Sequence, residues 1–478
     1  MLERVLDYPG RDRPGRPRAD RAAHRETSKR PRRGVELTVS HDDAPLRIAL
    51  LSYKGNPFCG GQGVYVRHLS RELARLGHDV RVLGGQPYPV LDHHAVDPDG
   101  TGKLAFTEIA SLDLYRDPDP FRTPGLSEYR GPVDVLETAI MRTGGFPEPL
   151  TFSLRARRHL SLHRGRYDVV HDNQTLGYGL LGLDRIGFPL VTTIHHPITV
   201  DRKLDLAAAQ GGLKKLSVRR WYAFTRMQRR VAARLDSVLT VSESSAREIV
   251  EHLDVAPGRV HVVPIGADVE LWSPDPSVAE VPGRIVTTSS ANVPLKGLVF
   301  LVEALAKVRT ERDAHLVVVG RRPEEGPVAD AIKRLGLEDA VEFRGGIDDA
   351  AFVDLVRSAE VACVPSLYEG FSLPAAEAMA TGTPLVATTG GAIPEVAGPD
   401  GETCLAVPPG DPGALAAALG RLLDEPELRA RIGAAGRARV LERFTWRRAA
   451  ELTVERYREA IATGVGQHAR AGRGWRYV

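Results

Sequence analysis

Glu369 and Glu377 stand eight positions apart in the run Ser366-Leu-Tyr-Glu-Gly-Phe-Ser-Leu-Pro-Ala-Ala-Glu-Ala-Met-Ala. Just before it comes Val361-Ala-Cys-Val-Pro, a short apolar stretch that reads as a buried strand. Beyond the loop, Pro374 is placed to be the first helical residue, where its missing N–H costs nothing. A strand, a glycine-containing loop and a helix in that order gather the backbone amides of Gly370, Phe371, Ser372 and Leu373 at a helix N-terminus, which favours an anion. Carboxylates repel an anion, so the natural partners of the two glutamates are neutral hydroxyls. Amides for a diphosphate and carboxylates for sugar hydroxyls together describe a pocket for a nucleotide sugar.

The elements needed to hold such a pocket alternate along the chain from Leu46. Arg47-Ile-Ala-Leu-Leu-Ser reads as a strand, and 64–76 as an amphipathic helix with Val66, Leu69, Leu73 and Leu76 on one face. Asp79-Val-Arg-Val-Leu, Asp168-Val-Val-His, Pro189-Leu-Val-Thr-Thr-Ile and Ser237-Val-Leu-Thr-Val read as further strands. Helical patterns fall between most of them, as a parallel sheet requires. The Pro-rich stretch 88–149 reads as an irregular insertion shaping the mouth of the site, and Trp272-Ser-Pro-Asp-Pro through Gly283 as a linker. A second series starts at Arg284-Ile-Val-Thr-Thr and runs through His315-Leu-Val-Val-Val, Val341-Glu-Phe, Val361-Ala-Cys-Val and Pro384-Leu-Val-Ala. Helices near 411–424, 426–442 and 445–463 follow. The predicted fold class is α/β, with two Rossmann-like, doubly wound domains facing each other across a cleft. Their expected limits are 46–275 and 284–443, after a basic tail at 1–45 and before a last helix at 444–464.

In this order the motifs resemble a retaining glycosyltransferase of family 4 with the GT-B fold. Glu-Gly-Phe-Ser-Leu-Pro-Ala-Ala-Glu-Ala-Met-Ala-Thr-Gly-Thr-Pro matches the family's E-x7-E element. Gly390-Gly-Ala-Ile-Pro-Glu and Val407-Pro-Pro-Gly-Asp downstream, and Gly60-Gly61 and Leu76-Gly-His-Asp-Val upstream, extend the likeness from Leu46 to Tyr457. The resemblance implies that Glu369 contacts the donor sugar and Glu377 the ribose hydroxyls. It implies that Lys296 neutralises the diphosphate and that His195, at a Thr-x-His position after a strand, orients the sugar. Gly61 would approach the donor phosphate or the acceptor from the N-terminal side, and the last helix would cross back to the N-terminal domain. The implied reaction moves a sugar from a nucleotide diphosphate to an acceptor hydroxyl with retention, using no metal and no cofactor beyond that co-substrate. This chain departs from the family where an arginine is usual, since Ser290-Ala291-Asn292 stands there. Arg321, just after the strand His315–Val319, becomes the candidate for the second cation.

Other readings compete with these. Gly60-Gly61-Gln-Gly63 is not a full dinucleotide fingerprint, because Val66 occupies the third glycine position, and hydride transfer is thereby disfavoured. Asp97-Pro-Asp99 and Asp117-Pro-Asp119 mimic a metal-binding Asp-x-Asp, but solvated turns in Pro-rich loops explain them better, so no metal ligand is assigned. His196 is the alternative to His195. The run 214–234 mixes Trp221, Tyr222, Phe224 and Met227 with six arginines, and a buried stripe accounts for its apolar members more simply than a membrane-facing helix. An epimerase acting on nucleotide sugars would not need the E-x7-E pair. A non-catalytic nucleotide-sugar-binding protein is favoured by the missing arginine.

At 478 residues the chain exceeds one ordinary core, and its 42% hydrophobic share beside 26% charged residues marks it as globular. A net charge of +3 is too small to imply nucleic-acid binding. Cys59, Cys363 and Cys404 are odd in number and lack metal spacing, which suits a reduced, cytoplasmic setting. No apolar run reaches membrane-spanning length. The Arg-rich start lacks the apolar segment of a secretory signal, and the sequence after Arg32-Arg33 is too polar for twin-arginine export. Its basic charge allows peripheral contact with the inner face of a membrane. The expected partners are a nucleotide-sugar donor and an acceptor that is a saccharide, lipid-linked or a small molecule.

Overall fold

Apolar runs with both faces covered pair side by side, and here they do so twice. The computed structural model describes residues 44–55, 61–92, 102–116, 119, 121–291 and 293–471. The tail up to 43, Cys59, Gly60, Asp97, Asp99, Asp117 and Asn292 lie outside these residues. The first sheet holds β1 (Arg47–Ser52), β2 (Asp79–Gly84), β3 (Lys103–Glu108), β4 (Val169–Asn173), β5 (Leu190–Thr193), β6 (Val238–Thr240) and β7 (Val260–Val262), in the order β3-β2-β1-β4-β5-β6-β7. The second holds β8 (Val281–Thr288), β9 (His315–Val319), β10 (Val341–Arg344), β11 (Ala359–Val364), β12 (Leu385–Thr388) and β13 (Leu405–Val407), in the order β10-β9-β8-β11-β12-β13. All these strand pairs are parallel. Ile48, Ala49, Leu50 and Leu51 are all fully buried, which is why β1 is a continuous apolar run rather than an alternating one. In each sheet the strand order reverses once, between β1 and β4 and between β8 and β11. The loops leaving those neighbours diverge and open a crevice beyond the strands' carboxyl ends.

The stretch 88–149 is more regular than its proline content predicts. It contains the edge strand β3 and the helix Pro132–Arg142, and it runs into the helix Glu148–Leu162. β3 escaped the pattern because no residue in it is fully buried, so it carries no apolar run. β8 starts at Val281, inside the segment read as linker. Its Pro-Gly pair suggests a turn, but Gly283 has φ 70 and packs so closely that a Cβ there would stand 2.1 Å from Asp313 O. The basic run breaks into helices Gly212–Trp221 and Thr225–Ala232. Tyr222 and Met227 are buried, Trp221 and Phe224 are half-buried, and Leu213 and Leu216 face outward. No helix among the described residues is long and apolar enough to cross a membrane.

After the helix Pro426–Arg443 the chain turns at Phe444, whose carbonyl accepts from Ala267 N at 2.9 Å. The final helix, Trp446–Ala471, then packs on the helix Gly61–Arg75 and against β4 and β5. Trp446 stacks on His68 with ring centres 5.1 Å apart. This return leg joins the second sheet's helices to the first sheet.

Candidate functional site

The second sheet's crevice lies between the loops that follow β8 and β11. Gly297 lets them touch: at φ 65, a Cβ there would stand 2.0 Å from Pro365 O, so only glycine fits. Leu367 N donates to Leu295 O at 2.7 Å, and next to that bond Lys296 Nζ donates to Glu369 Oε1, also at 2.7 Å. Ser366 Oγ donates to the same oxygen at 2.8 Å. Glu369 is fixed from behind by Ala392 N, which donates to its carbonyl at 2.9 Å. The cation and carboxylate assigned separately from sequence are thus one pair, held across the switch point.

The amide turn follows at once. Gly370, Phe371, Ser372 and Leu373 lead into the helix Leu373–Thr381. Ser372 is left-handed, with φ 93 and ψ 73, in a buried position where its Oγ finds no partner among the described residues. A non-glycine residue held there costs on the order of 1–3 kcal/mol, a strain found mainly at ligand-binding turns. Phe371 turns its ring inward, edge-on to Phe444 at 5.7 Å, so it can serve a ligand only through its backbone.

Glu377 lies on the helix face that lines a small pocket, with Trp272, Thr287, Thr288, Phe352, Cys363 and Pro374 around it. Burial, and then the Asp349 charge, push its carboxyl up to about 7. Thr287 Oγ1 and Ser289 Oγ, at the end of β8, also lack partners among the described residues. Buried hydroxyls normally find partners, so Thr287, Ser289 and Ser372 leave unused hydrogen-bonding capacity where a polar ligand would sit. The Thr-Thr-Ser-Ser run at the strand end was the available signal for the first two.

Arg321 is exposed in the loop beyond β9, one strand out from the switch point. Its Cγ lies 3.5 Å from where a Gly345 Cβ would be. The structure groups Lys296, Glu369 and the amide turn closely, and Arg321 follows the strand next to β8.

On the facing sheet, His195 follows β5. Asn173 Nδ2 donates to Gln62 O at 3.3 Å, which turns its Oδ1 toward His195 Nε2 at 2.8 Å. Nε2 therefore carries the proton and Nδ1 is left as an acceptor. His195 N donates to Gln174 Oε1 at 2.7 Å, and Gln174 Nε2 donates to His196 O at 2.7 Å. Gln174 holds this brace at φ 54. Burial, with the neighbouring His196 adding to it, pulls the His195 imidazole down to about 3. His196 behaves oppositely: burial lowers it, but the hydrogen bond to Asp201 at 2.9 Å and that carboxylate's charge raise it overall. Sequence alone did not point to Asn173 and Gln174, although polar residues at the carboxyl end of an apolar strand are a readable sign.

Gly61 opens the helix Gly61–Arg75 instead of lying in the loop before it. It is exposed, and a Cβ there would meet nothing within 4 Å among the described residues. Tyr65, on the same helix, sets its ring edge-on to His195 at 4.7 Å. Its hydroxyl bonds Thr193 Oγ1 at 2.9 Å, and Thr193 bonds His171 Nε2 at 2.7 Å.

The two halves meet at these loops. A Cβ on Gly370 would stand 3.6 Å from His195 O, and Gly370 O accepts from Ser242 Oγ at 2.7 Å and Ser245 Oγ at 3.2 Å. Glu395, from the second half, caps the helix Glu243–Leu253 of the first, accepting from Glu243 N at 2.7 Å and Ser244 N at 2.8 Å. Among the described residues no group of three His, Cys, Asp or Glu is placed to share a metal ion.

A cleft between two parallel doubly wound sheets, with its polar groups at both switch points, is the GT-B arrangement, and this chain belongs to glycosyltransferase family 4. Residues 59–271 match the family model described as Glycosyltransferase Family 4, and 282–425 that described as Glycosyl transferases group 1. The chain is 52% identical over 417 residues to the MMP alpha-(1->4)-mannosyltransferase of Mycolicibacterium hassiacum, covering 87% of this chain and 99% of that protein. It is 31% identical over 450 residues to a D-inositol 3-phosphate glycosyltransferase of Saccharomonospora viridis, covering 87% and 95%. Among solved structures, sucrose-phosphate synthase from Thermosynechococcus elongatus superposes with a TM-score of 0.63 at 25% identity, over 87% of this chain and 100% of that one.

Proposed function

We propose that this glycosyltransferase moves a mannosyl group from a nucleoside-diphosphate mannose to a saccharide hydroxyl, with retention at the anomeric carbon and without a divalent ion. The observation that carries this is the Lys296–Glu369 pair at 2.7 Å. A cation suited to a diphosphate and a carboxylate suited to a sugar hydroxyl, so close together, fit the two adjoining parts of one nucleotide sugar. Lys296 and the amides of Gly370–Leu373 would hold the diphosphate and stabilise its developing charge, with Arg321 a second cation from the neighbouring loop. Glu377 would accept from the ribose, while Glu369 and His195 orient the sugar and Gly61 approaches from the first half. With its pKa pulled down to about 3, His195 is too weak a base to take the acceptor's proton. The departing phosphate oxygen is the better base, and proton transfer to it places attack on the departing face, which retains configuration. Mannose is chosen because the 52% identical relative is a mannosyltransferase.

The test incubates the protein with GDP-mannose or UDP-mannose and methyl α-D-mannopyranoside in excess chelator, and follows the anomeric proton by NMR. An α-linked product is expected. A β-linked product would exclude retention, and activity restored only by magnesium or manganese would exclude metal independence. Tight donor binding with neither hydrolysis nor transfer would make the protein a nucleotide-sugar binder.

A further inference from the structure

Tyr53 and Lys54 follow β1 directly, so they stand at the same sheet edge as His195. Asn173, which holds His195, also bonds Gln62, and the buried Tyr53 phenol lies between Gln62 and Glu148. Glu148 opens the helix Glu148–Leu162, and its Oε2 is buried with no hydrogen-bond partner among the described residues. Rings gather beside it. Phe146 lies 5.2 Å from Trp221 and 5.7 Å from Tyr115, Tyr115 lies 6.0 Å from Trp221, and Lys54 Nζ sits 5.7 Å over Phe146. Tyr115, Phe146 and Trp221 are all only half-buried. Phe146 and Tyr115 back onto buried apolar clusters and keep a partly exposed side, and packing alone would not leave a carboxylate oxygen without a donor. Rings that offer an apolar face beside one unsatisfied polar group make up the usual composition of a small-molecule site.

We propose that Tyr115, Phe146, Trp221 and Glu148 form the acceptor subsite, and that the acceptor there is a neutral sugar. Its C–H face packs on the rings and one hydroxyl donates to Glu148 Oε2. This rests on the glycosyl-transfer reading above. The strongest ion pairs nearby are made within the protein. Arg155 pairs through Nη2 with Asp134 and Glu137 at 2.5 Å each, and Arg122 through Nη2 with Glu128 at 2.5 and 2.7 Å. Lys54 lies over one face of the Phe146 ring and is the cation that acts on Glu148. Burial pushes the Glu148 carboxyl up to about 7; the Lys54 charge opposes this, and Glu137 and Asp113 add like charge that a phosphate would also meet. A hydroxyl supplies the donor that Oε2 lacks.

The test compares the parent with Glu148→Gln and Trp221→Ala in three assays: donor hydrolysis without acceptor, transfer to methyl α-D-mannopyranoside, and transfer to D-myo-inositol 3-phosphate. Glu148→Gln should raise the KM for the methyl mannoside about tenfold or more, and Trp221→Ala about three- to tenfold. Donor hydrolysis should stay at the parent rate in both. Trp221→Phe, which keeps a stacking face, should recover most of the loss and serves if the alanine variant does not fold. The parent should favour the methyl mannoside over the inositol phosphate by at least about tenfold in kcat/KM. Unchanged acceptor KM in both variants, hydrolysis that falls in step with transfer, or a preference for the phosphorylated acceptor would each overturn the subsite. If the parent turns over no donor, the catalytic reading fails. Saturation-transfer NMR of the methyl mannoside with nucleoside diphosphate present then decides the subsite: signal in the parent and none in Glu148→Gln supports it, and equal signals or none in the parent overturn it.

Discussion

His171 and Tyr457 lie 286 positions apart in the chain, and their side chains meet at 2.6 Å inside the protein. His171 is fully buried, and burial, followed by the His195 charge, pulls it down to about 3, so it is neutral. Its ring joins the final helix to Thr193, then to Tyr65 and the edge of His195. Tyr457→Phe would leave His171 Nδ1 buried without a partner. The expected loss is about 1–3 kcal/mol of unfolding free energy, read by denaturant titration. Stability equal to the parent would show that this bond does not help hold the return helix.

Glu377 should give opposite pH responses in stability and in binding. Its carboxyl is raised from 4.5 to about 7 in the folded protein, so between those values the folded state holds more protons than the unfolded one. Unfolding free energy should therefore fall as pH rises from about 4.5 to about 7. Nucleoside-diphosphate affinity should rise as pH passes about 7, because the charged carboxylate is the better acceptor for ribose hydroxyls. Glu377→Gln should weaken binding and flatten both profiles. Calorimetric titrations across this range provide the check, and a variant that keeps the parent's slopes would remove Glu377 from the ribose.

The Lys296–Glu369 pair predicts unequal effects from its two members. Lys296→Ala should weaken bare nucleoside diphosphate by about tenfold or more, since a direct charge-assisted contact is lost. Glu369→Gln should leave that affinity intact and lower turnover of the nucleotide sugar, because its partner is the sugar. Arg321→Ala should cost less than Lys296→Ala, given its place one strand outward. Equal losses for sugar-free and sugar-bearing ligands in Glu369→Gln would contradict the assignment.

Glu395 ties the halves together by capping a helix across the cleft. Glu395→Ala removes that cap, at a cost of about 0.5–2 kcal/mol. Solution scattering should report a larger radius of gyration, and kcat should fall while nucleoside-diphosphate affinity holds. Glu395→Gln should recover part of the loss. Scattering and kinetics identical to the parent would mean that the Ser242 and Ser245 contacts hold the cleft without it.

Along the chain, the sequence determined whatever depends on near neighbours. The apolar runs of β1 and β11 gave both sheets, because a strand covered on both faces needs no partner to be recognised. The spacing of Glu369, Pro374 and Glu377 gave the strand, turn and helix at the second switch point, since helix starts are set within a few residues. β3, β7 and β13 stayed hidden because a half-exposed or three-residue strand is defined by the neighbour it pairs with.

Tertiary structure alone decided which distant residues share a site. No local pattern connects Lys296 with Glu369, Glu395 with the amides of Glu243 and Ser244, or Glu148 with Trp221. The Thr-x-His position singled out His195 and left His196 as the alternative, but only the fold shows how their environments differ, by an Asn173 amide against an Asp201 carboxylate. Burial and hydrogen bonding act through space, over a few ångströms, between groups that the chain brings together only when both sheets and the return helix are in place.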